Sequence, residues 1–142
     1  MVELGGGTGA VTKALLAKLH AHTRLIVLEV NPEFCEVLKA LDDPRLTVVN
    51  ASAESLPQVL AELAIQSADY VVSTVPLTIL DNPVRLAIIN AAKEVMAPDA
   101  SYIQIAYSTH LRKLMYDMFK TVHLDFSLLH IPPTFFYICR NR

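Results

Sequence analysis

All four glycines of this 142-residue chain fall in one short stretch, Gly5, Gly6, Gly7 and Gly9, and a helical pattern follows at once. Glycine reaches backbone conformations closed to other residues and lets a ligand approach bare amides. A glycine loop that feeds a helix turns N–H groups and the positive end of the helix dipole toward that ligand. Twenty residues after Gly9 stands Glu29, at the end of a second apolar run. A carboxylate placed there can accept both hydroxyls of a ribose. Loop and acid together specify a nucleoside-type cofactor; Glu29 alone would read as a strand-end carboxylate in water.

Gly5, Gly7 and Ala10 also fit the G-x-G-x-x-G/A dinucleotide fingerprint. Glu3 separates the two cofactor classes. Its carboxylate lies two residues before the first glycine, where it repels a pyrophosphate and favours a cation such as the ammonium and sulfonium of S-adenosylmethionine. The expected cofactor is therefore S-adenosylmethionine, leaving as S-adenosylhomocysteine, rather than NAD. Its expected contacts are Glu3, Gly5, Gly6, Gly7, Thr8 and Gly9 from the loop, and Glu29, Val30 and Asn31 from the second strand end. Ser52 is expected at the adenine edge and the Ala53 N–H at a ring nitrogen, with Ser73 at the end of the fourth strand beside the methyl.

Strands and helices must hold these residues at one edge. Strands are expected over 1–4, 24–30, 46–49, 68–73 and 101–107, with two more over 123–129 and 135–140. Helices are expected over 8–20, capped by Thr8, then from Pro32 with Phe34, Val37, Leu38 and Leu41 on one face. Others follow over 55–63, over 83–96 with Pro98 as the stop, and over 109–120 with an apolar stripe. The alternation specifies an open, mostly parallel sheet with helices on both faces. The last link is too short for a parallel crossover, so the seventh strand should be antiparallel.

Length and a hydrophobic fraction of 53% predict one domain over residues 1–142 and exclude disorder. Two cysteines, Cys35 and Cys139, exclude a disulfide scaffold and read as buried small hydrophobes. No apolar run reaches the roughly 18 residues of a membrane span, and no signal peptide opens the chain, so a cytoplasmic location is expected. The net charge of −2 combines seven Lys/Arg against twelve Asp/Glu over 1–107 with five against two over 108–142. An acidic total disfavours a duplex nucleic-acid partner. The histidines have no ligand spacing, so no metal is expected.

The stretch Val2-Glu-Leu-Gly-Gly-Gly-Thr-Gly-Ala-Val-Thr12 resembles the first motif of the class I S-adenosylmethionine-dependent methyltransferases, and Glu29 resembles their ribose acid. Three further stretches are Val72-Ser-Thr-Val-Pro-Leu77, Tyr102-Ile-Gln-Ile-Ala-Tyr-Ser108 and His130-Ile-Pro-Pro-Thr-Phe-Phe-Tyr137. In combination they make the chain similar to the bacterial phospholipid N-methyltransferases, relatives of the ribosomal RNA adenine dimethyltransferases. The resemblance covers essentially the whole chain. It implies a Rossmann-like fold and methyl transfer to the amine of phosphatidylethanolamine or its methylated forms. It also implies peripheral contact with the inner membrane face.

Tyr107, His130 and Ser73 are the expected catalytic-side residues, with Gln104 as a further polar contact for the acceptor. Aromatic rings there would hold a methylated ammonium by cation–π attraction. Two departures matter. Ser52 stands where the family offers Asp to adenine. Thr74-Val-Pro-Leu77 stands where the RNA enzymes carry Asn/Asp-x-Pro-Tyr/Phe, so the gripping amide and the stacking ring are both missing. The family also carries a helical segment before the first strand that helps close the pocket and, in the lipid enzymes, helps bind membrane; a chain opening on that strand reads as a truncated start. The alternatives are a ribosomal RNA adenine N6-methyltransferase and a non-catalytic S-adenosylmethionine-binding domain. Acceptor identity and oligomeric state stay open at this level.

Overall fold

The second apolar run forms β2 (Leu25–Glu29), buried at every position as a central parallel strand should be. The structure, a computed structural model, describes residues 1–129 and 133–141. β1 (Val2–Leu4), β2, β3 (Leu46–Asn50), β4 (Ala68–Ser73) and β5 (Met96–Ala106) run parallel. β7 (Thr134–Arg140) lies antiparallel to both β5 and β6 (Thr121–Ser127), as the short link requires. The order across the sheet is β3-β2-β1-β4-β5-β7-β6. Among the described residues five α-helices flank it: α1 (Ala10–Leu16), α2 (Pro32–Lys39), α3 (Leu56–Glu62), α4 (Asn82–Val95) and α5 (Arg112–Met118).

The larger core lies on one face, where Leu4, Ile26, Leu28 and Tyr102 meet Leu60 of α3, Ile89 of α4 and Met115 of α5. Each such aliphatic side chain contributes about 1.5–3 kcal/mol by leaving water. The opposite face holds a smaller cluster, Leu25 and Val27 under Leu16 of α1 and Leu38 of α2. Beyond α1 that face carries an apolar hollow of about 850 Å³ between Val11, Ala14 and Leu15 and the sheet residues Val72, Ile103 and Phe136. Val11, Ala14 and Leu15 of α1 face the hollow, while Thr12 and Leu16 are its buried positions.

Several boundaries differ from the sequence expectation, each for a local reason. Thr8 is exposed and caps nothing. The residue before α1 is Gly9, at φ 85° in the left-handed region, where a side chain would strain the backbone. α2 begins as expected: Asn31 Oδ1 accepts from Glu33 N at 2.8 Å and Pro32 fills the first turn. Val37, expected on the buried face of α2, is exposed, and Cys35 takes its place beside Leu38. Pro98 does not stop α4. The helix ends at Val95 and the chain enters β5 directly, with Pro98 in an irregular stretch where pairing jumps from Ala68–Met96 to Tyr70–Ser101. A proline cannot donate to the ladder, so it belongs where pairing is interrupted. The fifth helix is shorter than its stripe. Both cysteines are buried and free.

Candidate active site

The carboxyl ends of β1 to β4 meet where the strand order reverses, the place at which open α/β sheets hold ligands. A cavity of about 420 Å³ opens there. Gly5 and Gly7 form one wall, Glu29 and Val30 a second, and Ala51, Ser52 and Ala53 a third. The turn after β4 supplies Thr74, Val75 and Pro76, and α4 adds Val84 and Ile88. Phe34 and Leu80 also line it.

Glu29 is held rigidly. Its Oε2 accepts from Gly7 N at 2.8 Å and its Oε1 from Asn31 N at 2.8 Å. Its carbonyl accepts from Asn50 Nδ2 at 2.9 Å, and the same amide donates to Val30 O at 2.9 Å. Cys35 Sγ donates to the Glu29 carbonyl as well, at 3.4 Å. Each carboxylate oxygen keeps a lone pair for a ribose hydroxyl. Asn50 was legible in sequence only as a strand end; its bridging of two carbonyls depends on the β2–β3 register.

Gly5 lies at φ 80°, and a Cβ there would stand 3.2 Å from both Thr74 Oγ1 and Val75 Cγ2. The glycine loop and the β4 turn thus touch backbone to side chain, tied by hydrogen bonds from Thr74 Oγ1 to the Gly5 and Leu4 carbonyls. Gly6 backs onto the smaller core and not the cavity. Thr8 and Gly9 do not line the cavity either.

Glu3 is fully buried behind the loop. Thr12 Oγ1 donates to its Oε2 at 2.7 Å, while Oε1 has no hydrogen-bond partner. Burial pushes its pKa up to about 7, with the nearby Glu29 charge adding to the rise and the Thr12 bond opposing it. An unpaired carboxylate oxygen behind a backbone cradle is short of a positive partner, and the ammonium and sulfonium of S-adenosylmethionine fit that deficit. A pyrophosphate does not.

The raised Glu3 pKa has a definite sign. Between the ordinary value of 4.5 and about 7 the unfolded chain loses the proton while the folded one keeps it. The group's contribution to stability is complete below pH 4.5 and is lost as pH rises through about 7. Thermal midpoints of the ligand-free protein should therefore fall across this window relative to a Glu3→Gln variant. Parallel pH profiles would show that Glu3 does not carry the proton.

The catalytic-side expectations divide. Tyr107 is two-thirds exposed, at the rim just past β5, and lines a second cavity of about 140 Å³ together with Thr74, Pro76 and Gln104. It is not a core aromatic. Ser73 is fully buried, lines neither cavity, and alternation along β4 turns it to the face opposite Glu3. Gln104 is also buried, and its amide is committed to backbone carbonyls. His130 lies outside the described residues. The α4 contribution escaped the sequence reading, although Val84 and Ile88 stand one helical turn apart.

Residues 1–99 match the family model described as a methyltransferase domain. The chain is 32% identical to an ornithine lipid N-methyltransferase of Singulisphaera acidiphila over 99% of its own length and 75% of that protein. A ribosomal RNA small subunit methyltransferase H of Aromatoleum aromaticum is 42% identical over a shorter stretch, 46% of this chain and 21% of that protein. Among solved structures, Aeropyrum pernix fibrillarin, crystallised with natively bound S-adenosyl-L-methionine, superposes with a TM-score of 0.73 at 13% identity. That superposition covers 96% of this chain and 64% of the other.

Proposed function

The chain belongs to the class I S-adenosylmethionine-dependent methyltransferases, and on that premise we propose that it methylates the amine of a lipid headgroup, phosphatidylethanolamine or its methylated forms. The similarity to an ornithine lipid N-methyltransferase along the whole chain carries this reading. The match to the ribosomal RNA enzyme stops short of half the chain. The β4 turn argues in the same direction. Leu77 is fully buried and offers no face for stacking, and the Thr74 hydroxyl is taken by the Gly5 and Leu4 carbonyls. A flipped adenine would find neither an aromatic plate nor an amide grip there.

When bound, S-adenosylmethionine supplies a methyl group on a positively charged sulfur. Glu29 would take the ribose hydroxyls, Gly5 and Gly7 would admit the chain of the cofactor against bare backbone, and Ser52 and Ala53 would meet the adenine edge. Glu3, ionised, would balance the cationic end. In-line displacement asks the protein mainly for alignment. The Tyr107 ring at the rim would steady an ammonium by cation–π attraction once the amine has begun to collect methyls. Peripheral membrane contact belongs to this reading. Ile79, Tyr107, Leu128 and Leu129 are all exposed on segments leaving β4, β5 and β6 at the end of the sheet where the cavities open. Among the described residues no helix is long and apolar enough to cross a membrane.

Radiolabelled methyl transfer tests the proposal with three acceptors: phosphatidylethanolamine vesicles, ornithine lipid vesicles and unmodified ribosomal RNA. Label in the phosphatidylethanolamine vesicles is expected. Label confined to ornithine lipid would move the headgroup, and label confined to RNA would overturn the lipid reading. Cofactor binding with no label anywhere would mark a non-catalytic binding domain.

A further inference from the structure

Two buried polar side chains on β5 have no part in holding the cofactor, yet both bear on the turn that separates the two cavities. Gln104 Nε2 reaches the carbonyls of Ser73 at 3.2 Å, Val75 at 3.0 Å and Ile105 at 3.0 Å. Its Oε1 accepts from the Tyr102 hydroxyl at 2.6 Å. Both residues are fully buried, and the Tyr102 ring stacks on Phe119 with centroids 5.3 Å apart. On its other flank the same turn is tied to the glycine loop through Thr74. Thr74, Val75 and Pro76 line both the 420 Å³ cavity and the 140 Å³ cavity that includes Tyr107.

We propose that Tyr102 and Gln104 form a strut that fixes the Thr74–Pro76 turn as the partition between cofactor and acceptor, with Gln104 as a positioning residue whose amide is oriented by Tyr102. An amide side chain can present either end to its surroundings. Here the backbone side offers only carbonyl acceptors, so the nitrogen must face it. The tyrosine is what makes that orientation secure, because its hydroxyl donates to the oxygen end. Burial raises the pKa of the Tyr102 hydroxyl, so it stays a protonated donor. Without that donor Oε1 is a buried acceptor with no partner, and a flip would set oxygen against three carbonyls. Either outcome loosens the turn, and with it the alignment across the partition.

The assignment of the smaller cavity to the acceptor rests on the function proposed above, so the test includes a readout that needs no acceptor. Tyr102→Phe keeps the ring and its stacking. Hydrogen exchange of the amides of Thr74, Val75, Leu77 and Thr78 should speed up by at least about tenfold in that variant, with β1 and β2 amides unchanged. Affinity for S-adenosylmethionine by calorimetry should stay within about twofold, while kcat for methyl transfer falls about tenfold with little change in acceptor KM. Gln104→Met should reproduce the effect, and the double variant should be no worse than Gln104→Met alone, because Tyr102 acts through the amide. Unchanged exchange at 74–78 in Tyr102→Phe, or additive losses in the double variant, would overturn the strut. Absence of methyl transfer to every aminolipid would count against the proposed acceptor, and the exchange data would still decide this inference.

Discussion

Glu29→Ala is expected to weaken S-adenosylmethionine binding by more than tenfold. Glu29 is 6% exposed, and its carboxylate already holds two backbone amides, Gly7 N and Asn31 N, at 2.8 Å each. Those bonds aim its remaining lone pairs into the cavity. Hydrogen bonds to a charged group contribute about 1.5–3 kcal/mol each, and about 1.4 kcal/mol is a factor of ten in affinity. Loss of even one ribose hydroxyl contact reaches the stated effect. Freeing Gly7 N also slackens the cradle, which adds to it. Glu29→Gln should fall between, because an amide keeps one acceptor oxygen but turns its NH₂ toward a backbone donor. Titration calorimetry on both variants, with thermal midpoints as a check on folding, measures this. Wild-type affinity in Glu29→Ala would take the residue out of the site.

Gly6→Ala is expected to cost about 1–3 kcal/mol of stability, the usual range for overpacking a filled core. A Cβ at Gly6 would lie 2.6 Å from Val27 Cγ1 and 2.8 Å from Leu38 Cδ1, closer than carbon atoms approach. Both neighbours are fully buried, Val27 on the central β2 and Leu38 on α2 against it. Neither can retreat without moving its element. The glycine loop yields instead, carrying Gly5 and Gly7 away from their cavity positions, so cofactor affinity should fall together with the thermal midpoint. For a chain of this size the midpoint drops by roughly 2–4 °C per kcal/mol. Gly7→Ala separates clash from strain, since a Cβ there meets nothing within 4 Å and its cost, about 1–2 kcal/mol, comes only from the left-handed backbone at φ 52°. Equal midpoints for wild type and Gly6→Ala would refute the packing argument.

The elements that could be read from the residues were those whose signal is local. The run Leu25 to Leu28 has no polar interruption and became the buried central strand. Asn31 and Pro32 carry their own capping chemistry, and the link through Pro132-Pro133 is too short for a crossover whatever surrounds it. Glycine loop and acid were legible because their spacing is set by one strand–helix–strand unit. Hydrophobicity could not tell which way the Ser73 side chain points, because Val71, Val72 and Ser73 at the end of β4 are all buried. The β1–β4 register settles that, and no local pattern encodes it. Thr8 failed as a cap for a similar reason: a left-handed Gly9 already turns the chain into α1. Gln104 looked like a polar group free to meet an acceptor, and only the tertiary arrangement shows its amide consumed by three carbonyls.

The position of β7 bears on the order in which the molecule can mature. β6 contacts the rest of the sheet only through β7, which follows it in the chain but lies inside it in the sheet. Every residue that lines the 420 Å³ cavity lies between positions 5 and 88. A polypeptide emerging from the ribosome therefore holds that whole lining before β5 has been translated. β6 waits unpaired until residues 134–140 arrive to insert beside it. The late insertion is the step at which a stalled nascent chain would expose an unfilled sheet edge to chaperones.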